Sequence, residues 1–143
     1  MNLVDANVLL YAVNTDAPHH RASREWLDDA LSGRATVGFS WVALLSFVRL
    51  STKEGLFPSP LTAGEAFDRV DAWLAAPAAV LVEPTARHAS LMRQLLAQVG
   101  VGGNLVNDAH LAALAIEHGG RVITYDHDFG RFDGVDWSAP RSV

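Results

Sequence analysis

The chain has 143 residues, half of them hydrophobic, enough for a single domain over residues 1–143 with a genuine core. It has no cysteine, which excludes disulfide frameworks and thiolate metal sites. No apolar run approaches the roughly eighteen residues of a membrane helix, and the net charge of −5 argues against a general nucleic-acid coat.

Residues 2–5 read as a minimal strand that runs into a helical pattern from residue 7, so Asp5 sits where strand yields to helix. After a turn over 14–18, residues 20–31 form an amphipathic helix built on Trp26, Leu27 and Leu31, with Arg21, Arg24, Asp28 and Asp29 on its solvated face. Ser32 and Gly33 end it. A second strand is expected at 35–38, and Ser40 is a good N-cap for a helix running to about residue 51. That helix is apolar nearly all round, which fits either a central core helix or one with a face against a second subunit or partner.

Residues 55–60 are a connector, and Thr62 to Glu65 spell a capping box opening a helix through Trp73 and Leu74, closed by Pro77. Residues 79–82 are all apolar and predict a third strand buried on both faces. A helix over 87–98 turns Leu91 and Leu95 inward, and residues 100–103 break the chain before Asn104 caps the next helix.

The stretch 107–132 organises the rest. Leu111, Leu114, Ala115 and His118 recur at helical spacing, and Asp108 lies three and four positions before Leu111 and Ala112, on the inward face. Gly119 and Gly120 stop the helix where a left-handed cap is wanted. Residues 121–124 then read as a strand that delivers Asp126 and Asp128 to its carboxyl end, where open α/β sheets bind ligands. The remainder is loop and edge strand anchored by Phe132 and Trp137. Strands separated by helices predict a three-layer α/β/α sandwich with a small, mostly parallel sheet of about four or five strands.

Asp5, Asp108, Asp126 and Asp128 would be costly to hold together without a cation, because close carboxylates repel. Mg²⁺ or Mn²⁺ would relieve them, and such a site hydrolyses phosphodiesters, with scattered arginines on flanking phosphates. The bland alternative is a set of capping and turn acids. The histidines show no i, i+4 pair to suggest zinc. His127 is either a phosphate contact or an exposed turn residue, and Arg49 faces either the groove or a partner.

Four blocks, VDANVLLYA, SWVALLSFVRLST, NDAHLAALAIEHG and VITYDHDF, resemble in order and separation the PIN-domain nucleases, and most closely the VapC toxins of bacterial type II VapBC toxin–antitoxin pairs. The resemblance implies a Mg²⁺-dependent endoribonuclease that cuts structured RNA such as tRNA or rRNA; the ligand chemistry lets Mn²⁺ substitute, and the lack of a long apolar run leads us to expect a cytoplasmic protein. The resemblance also implies a homodimer silenced by a VapB antitoxin laid across the active-site groove. Carried over, Asp5, Asp108 and Asp126 are the metal ligands, Asp128 joins them as a catalytic acid, and Asn7 and Thr124 orient the carboxylates. The family places a Glu where this chain has Ser46, which leaves Ser46 to contact a water beside the metal. A PIN fold weakened in catalysis, serving as an RNA- or antitoxin-binding module, is the alternative. A haloacid-dehalogenase-type phosphatase is disfavoured, because Asn7 stands where its second Asp is required.

Overall fold

The computed structural model describes residues 1–100, 103 and 105–141. Five strands form one sheet in the order β3-β2-β1-β4-β5: β1 (Asn2–Val4), β2 (Val37–Phe39), β3 (Ala79–Leu81), β4 (Arg121–Ile123) and β5 (Trp137–Ser138). Every neighbouring pair is parallel, with Leu3 opposite Gly38 on one side and Val122 on the other. The three-layer expectation is borne out, and the second strand falls slightly later than its predicted span.

Alternation along the strands assigns each helix layer. Val4, Val37, Phe39 and Ile123 face a core closed by α1 (Ala6–Val13), α2 (His20–Leu31), α3 (Trp41–Ser51) and α4 (Ala63–Ala75). Leu3 and Val122 face the opposite core, closed by α5 (His88–Val99) and α6 (Leu105–Glu117). The caps are those the residues predict. Ser40 Oγ accepts from Ala43 N, and Thr62 and Glu65 complete a reciprocal capping box. Gly119 takes φ 65° at the end of α6, a conformation that a side chain would disfavour. Asn104, expected to cap α6, lies outside the described residues.

Two expectations change. The third strand is not buried on both faces: β3 is the sheet's border, with Val80 42 % and Leu81 41 % exposed. An apolar run reports hydrophobicity and says nothing of a strand's place in the sheet, and the helix layers leave this border partly uncovered. On α3, one face is core (Ala43, Leu44 and Phe47), while Trp41 and Leu45 remain 41 % and 54 % exposed. The all-apolar pattern therefore marks two faces, only one of which this chain covers.

Candidate functional site

The acids meet because β1 and β4 are adjacent and parallel, so their carboxyl ends open on the same side of the sheet. Asp5 follows β1 and caps α1, its Oδ1 accepting from Ala6 N at 2.7 Å. Its Oδ2 accepts from Thr124 Oγ1 at 2.8 Å and from Asn7 Nδ2 at 3.2 Å. Thr124, fully buried one residue past β4, also accepts at Oγ1 from Asp126 N at 2.9 Å and from Asn7 Nδ2 at 3.1 Å. Asn7 Oδ1 accepts from Tyr125 N at 3.1 Å. Asn7 and Thr124 thus stitch the end of β1 to the end of β4 and leave Asp5 little freedom to rotate.

Asp126 caps a short 3₁₀ helix (His127–Arg131), its Oδ1 accepting from Asp128 N at 2.9 Å. One oxygen from each of Asp108, Asp126 and Asp128 lies within 4.8 Å of the others. Asp108 reaches them from the first turn of α6, as its inward position predicts. Asp5 is outside this tightest group but lines the same cleft of about 240 Å³ with Asp108 and Asp126.

The electrostatics bear the strain of an anion cluster. Burial, followed by the charges of Asp126, Asp5 and Asp128, pushes the Asp108 carboxyl up to about 7. Burial also raises Asp5, against the hydrogen bonds from Thr124 and Ala6 that favour its charged form. A hard divalent cation answers both effects. The donors are carboxylate oxygens, a set suited to a hard divalent cation rather than to softer metals.

The wall opposite the acids comes from α3. Ser46, where the resemblance leads one to expect a Glu, and Arg49 both line the cleft with Asp5, Asp108 and Asp126. Asn107 lines it too, a residue that sequence reasoning passed over because it cannot titrate, although its place beside Asp108 on the first turn of α6 was a usable signal.

A second polar cluster also escaped notice. Glu117 accepts from Thr85 N at 3.0 Å and from Thr85 Oγ1 at 2.5 Å, and its Oε2 takes a hydrogen bond from His88 Nδ1 at 2.7 Å. His88 Nε2 is hydrogen-bonded in turn to His110 Nδ1 at 2.8 Å. Burial alone would raise Glu117, but the bonds from Thr85 and His88 outweigh it and hold the carboxyl below its ordinary value. Burial and the neighbouring His88 lower His110. His110 sits two residues from Asp108 and so lies round the helix from it, which makes this cluster a tie between α5 and α6 rather than part of the acidic cleft.

Oxygen ligands alone, gathered where the strands of a parallel sheet end, are the equipment of a hydrolytic enzyme that works through a hard divalent cation. Residues 3–135 match the PIN domain, and the chain belongs to that family. It is 62 % identical over 143 residues to Ribonuclease VapC37 of Mycobacterium tuberculosis, spanning 100 % of this chain and 99 % of that relative. Among solved structures, the fold is similar to VapBC2 from Rickettsia felis bound to a DNA fragment from its promoter, with a TM-score of 0.69 at 19 % identity over 96 % of this chain and 97 % of that one. It is also similar to the sarcin-ricin loop cleaving toxin VapC20 of Mycobacterium tuberculosis, with a TM-score of 0.65 at 18 % identity over 95 % and 99 %. The resemblance carried by the four sequence blocks is borne out.

Proposed function

We propose that this chain is the toxin of a VapBC-type pair, a cytoplasmic Mg²⁺-dependent endoribonuclease that hydrolyses phosphodiester bonds in structured RNA such as tRNA or rRNA. The observation that carries this reading is the convergence of Asp108, Asp126 and Asp128 within 4.8 Å, with Asp5 in the same cleft. Asp5, Asp108 and Asp126 would hold the ion, with Asp128 as the acid at their side. Bound there, Mg²⁺, or Mn²⁺ in its place, supplies positive charge against the negative charge that builds on the scissile phosphate.

The chain's own residues do the rest. Asn7 and Thr124 fix the direction of the Asp5 carboxylate, so that little reorganisation is needed when substrate arrives. Arg49, across the cleft, offers a guanidinium to a phosphate oxygen, and the Ser46 hydroxyl offers one hydrogen bond where a carboxylate would have added a ligand. The chain is a homodimer in this reading, and a VapB-type antitoxin covers the acidic groove.

The test is cleavage of total bacterial RNA by the purified, antitoxin-free protein with Mg²⁺, Mn²⁺ or EDTA, beside Asp5→Asn. Discrete fragments that need both metal and Asp5 are expected. Absence of cleavage, together with tight binding of an antitoxin, would favour the catalytically silent module and make Ser46 the residue to explain.

A further inference from the structure

The carboxyl edge of the sheet carries a second concavity. Beside the acidic cleft, a hollow of about 650 Å³ opens where β4 and β5 end, lined by His19, Thr124, Tyr125, His127, Trp137 and Arg141. Thr124 lines the second hollow and its hydroxyl donates to Asp5 of the first, while Asp126 of the first lies in sequence between Tyr125 and His127 of the second. The two concavities are therefore neighbours at the carboxyl edge of the sheet.

Their chemistry is opposite. The first is a crowd of carboxylates, whereas the second has no acid among its described lining residues and offers the Arg141 cation with two imidazoles. In a chain of net charge −5, such a reversal next to the acids is informative, because a polyanion crossing an acidic cleft needs donors on its flanking phosphates. The hollow also presents fixed rings. His19 stacks on Tyr125 at 4.3 Å with planes 13° apart, and Tyr125 is held from behind by a 2.8 Å hydrogen bond between its hydroxyl and buried Ser23. Trp137 and His127 meet nearly at right angles, ring centres 5.5 Å apart and planes 74° apart, and Trp137 lies against Gly130, where an added Cβ would come within 3.4 Å of the indole. Rings held in place at low entropic cost, beside a guanidinium, suit an unstacked base and its phosphate.

We propose that this hollow is a nucleotide subsite for the RNA residue flanking the scissile phosphate, with Trp137 and the His19–Tyr125 stack holding the base and Arg141 with His127 holding the phosphate. The subsite sets the nucleotide preference next to the cut. It rests on the nuclease reading above for its register with the acids, but not for RNA binding itself.

The experiment takes the full-length protein and a mapped RNA substrate, with His19→Ala, Arg141→Ala, Trp137→Leu and Trp137→Phe. His19 and Arg141 are exposed, so their variants keep the fold. Expected for His19→Ala, Arg141→Ala and Trp137→Leu is a KM raised about tenfold with kcat within about twofold of wild type, as lost stacking or a lost phosphate contact predicts. Trp137→Phe restores most of the affinity, and Trp137→Leu relaxes the nucleotide preference beside the cut, which mere loosening of the fold would not do. Unchanged KM and preference in a cleaving wild-type background overturn the subsite. So does unchanged RNA cleavage with lost inhibition by antitoxin, which would give the hollow to the antitoxin instead.

A second readout does not need cleavage. On titration with short oligoadenylate or oligouridylate, the Trp137 indole N–H resonance shifts if the subsite is correct and stays fixed if it is not. A wild type that fails to cleave but shows this shift would remove the nuclease reading and leave the subsite standing.

Discussion

Thr124 concentrates more of the site's organisation than any of the acids. It is fully buried, and its single oxygen donates to Asp5 while accepting from Asp126 N and Asn7 Nδ2. Thr124→Val keeps the shape and removes all three bonds. We expect a loss of about 1–3 kcal/mol in chemical denaturation, from the polar groups left unpaired. Mg²⁺ affinity by calorimetry should fall about 10–100-fold, as second-layer changes at metal sites do. Asp108 sets a pH dependence with a definite sign. Its carboxyl rises from 3.8 to about 7 in the fold, so the metal-free native state binds an extra proton between those values. Stability from this group is present below the unfolded value and is lost as pH rises through about 7. Thermal melts of the metal-free protein should therefore fall across that window, and Mg²⁺ or Asp108→Asn should flatten the fall. A melting temperature that climbs through the same window would contradict the crowding of Asp108 by its neighbours. Ser46→Glu returns a carboxylate to a residue that lines the cleft, and should raise cleavage or lower the Mg²⁺ it requires.

Elements show why some of this was legible in the sequence and some was not. Ser40, the Thr62–Glu65 box and Gly119 are local devices, with cause and effect inside a single turn, and each stands where its residues place it. Asp5 and Asp126 were legible for a similar reason: each follows a short apolar strand, and parallel strands share a carboxyl edge. The border position of β3 was not legible, because pairing order is decided by crossovers and not by the run of Ala79 to Leu81. Nor was the tie between α5 and α6, whose members are separated by 22 to 32 positions. That tie predicts its own mutant. Glu117→Ala leaves the half-buried His88 ring without its acceptor and the exposed Thr85 N–H to water, and should cost about 1 kcal/mol while leaving Mg²⁺ affinity intact. Calorimetric melting and metal titration on the same variant separate this helix tie from a role in the acidic cleft.

At the scale of the whole molecule, the exposed face of α3 runs toward the acidic cleft, and the proposed homodimer gives that face an occupant. Trp41 and Leu45 are one helical turn apart on α3, and Arg49 follows after one more, so an exposed apolar face runs along the helix to the residue that lines the acidic cleft. A second copy seated on Trp41 and Leu45 would stand beside that cleft and lengthen its wall. Short RNA needs only the local groove, whereas a folded RNA extends beyond it and would meet the second copy. Leu45→Glu tests this arrangement at small cost to the fold, since the side chain is 54 % exposed. Expected are a monomer by sedimentation, an unchanged melting profile once dilution is allowed for, and a larger loss of cleavage on structured RNA than on short oligonucleotides. If the variant stayed dimeric, the α3 face would not be the dimer contact. If it were monomeric yet cut both substrates equally well, the dimer would serve something other than the reach of the groove.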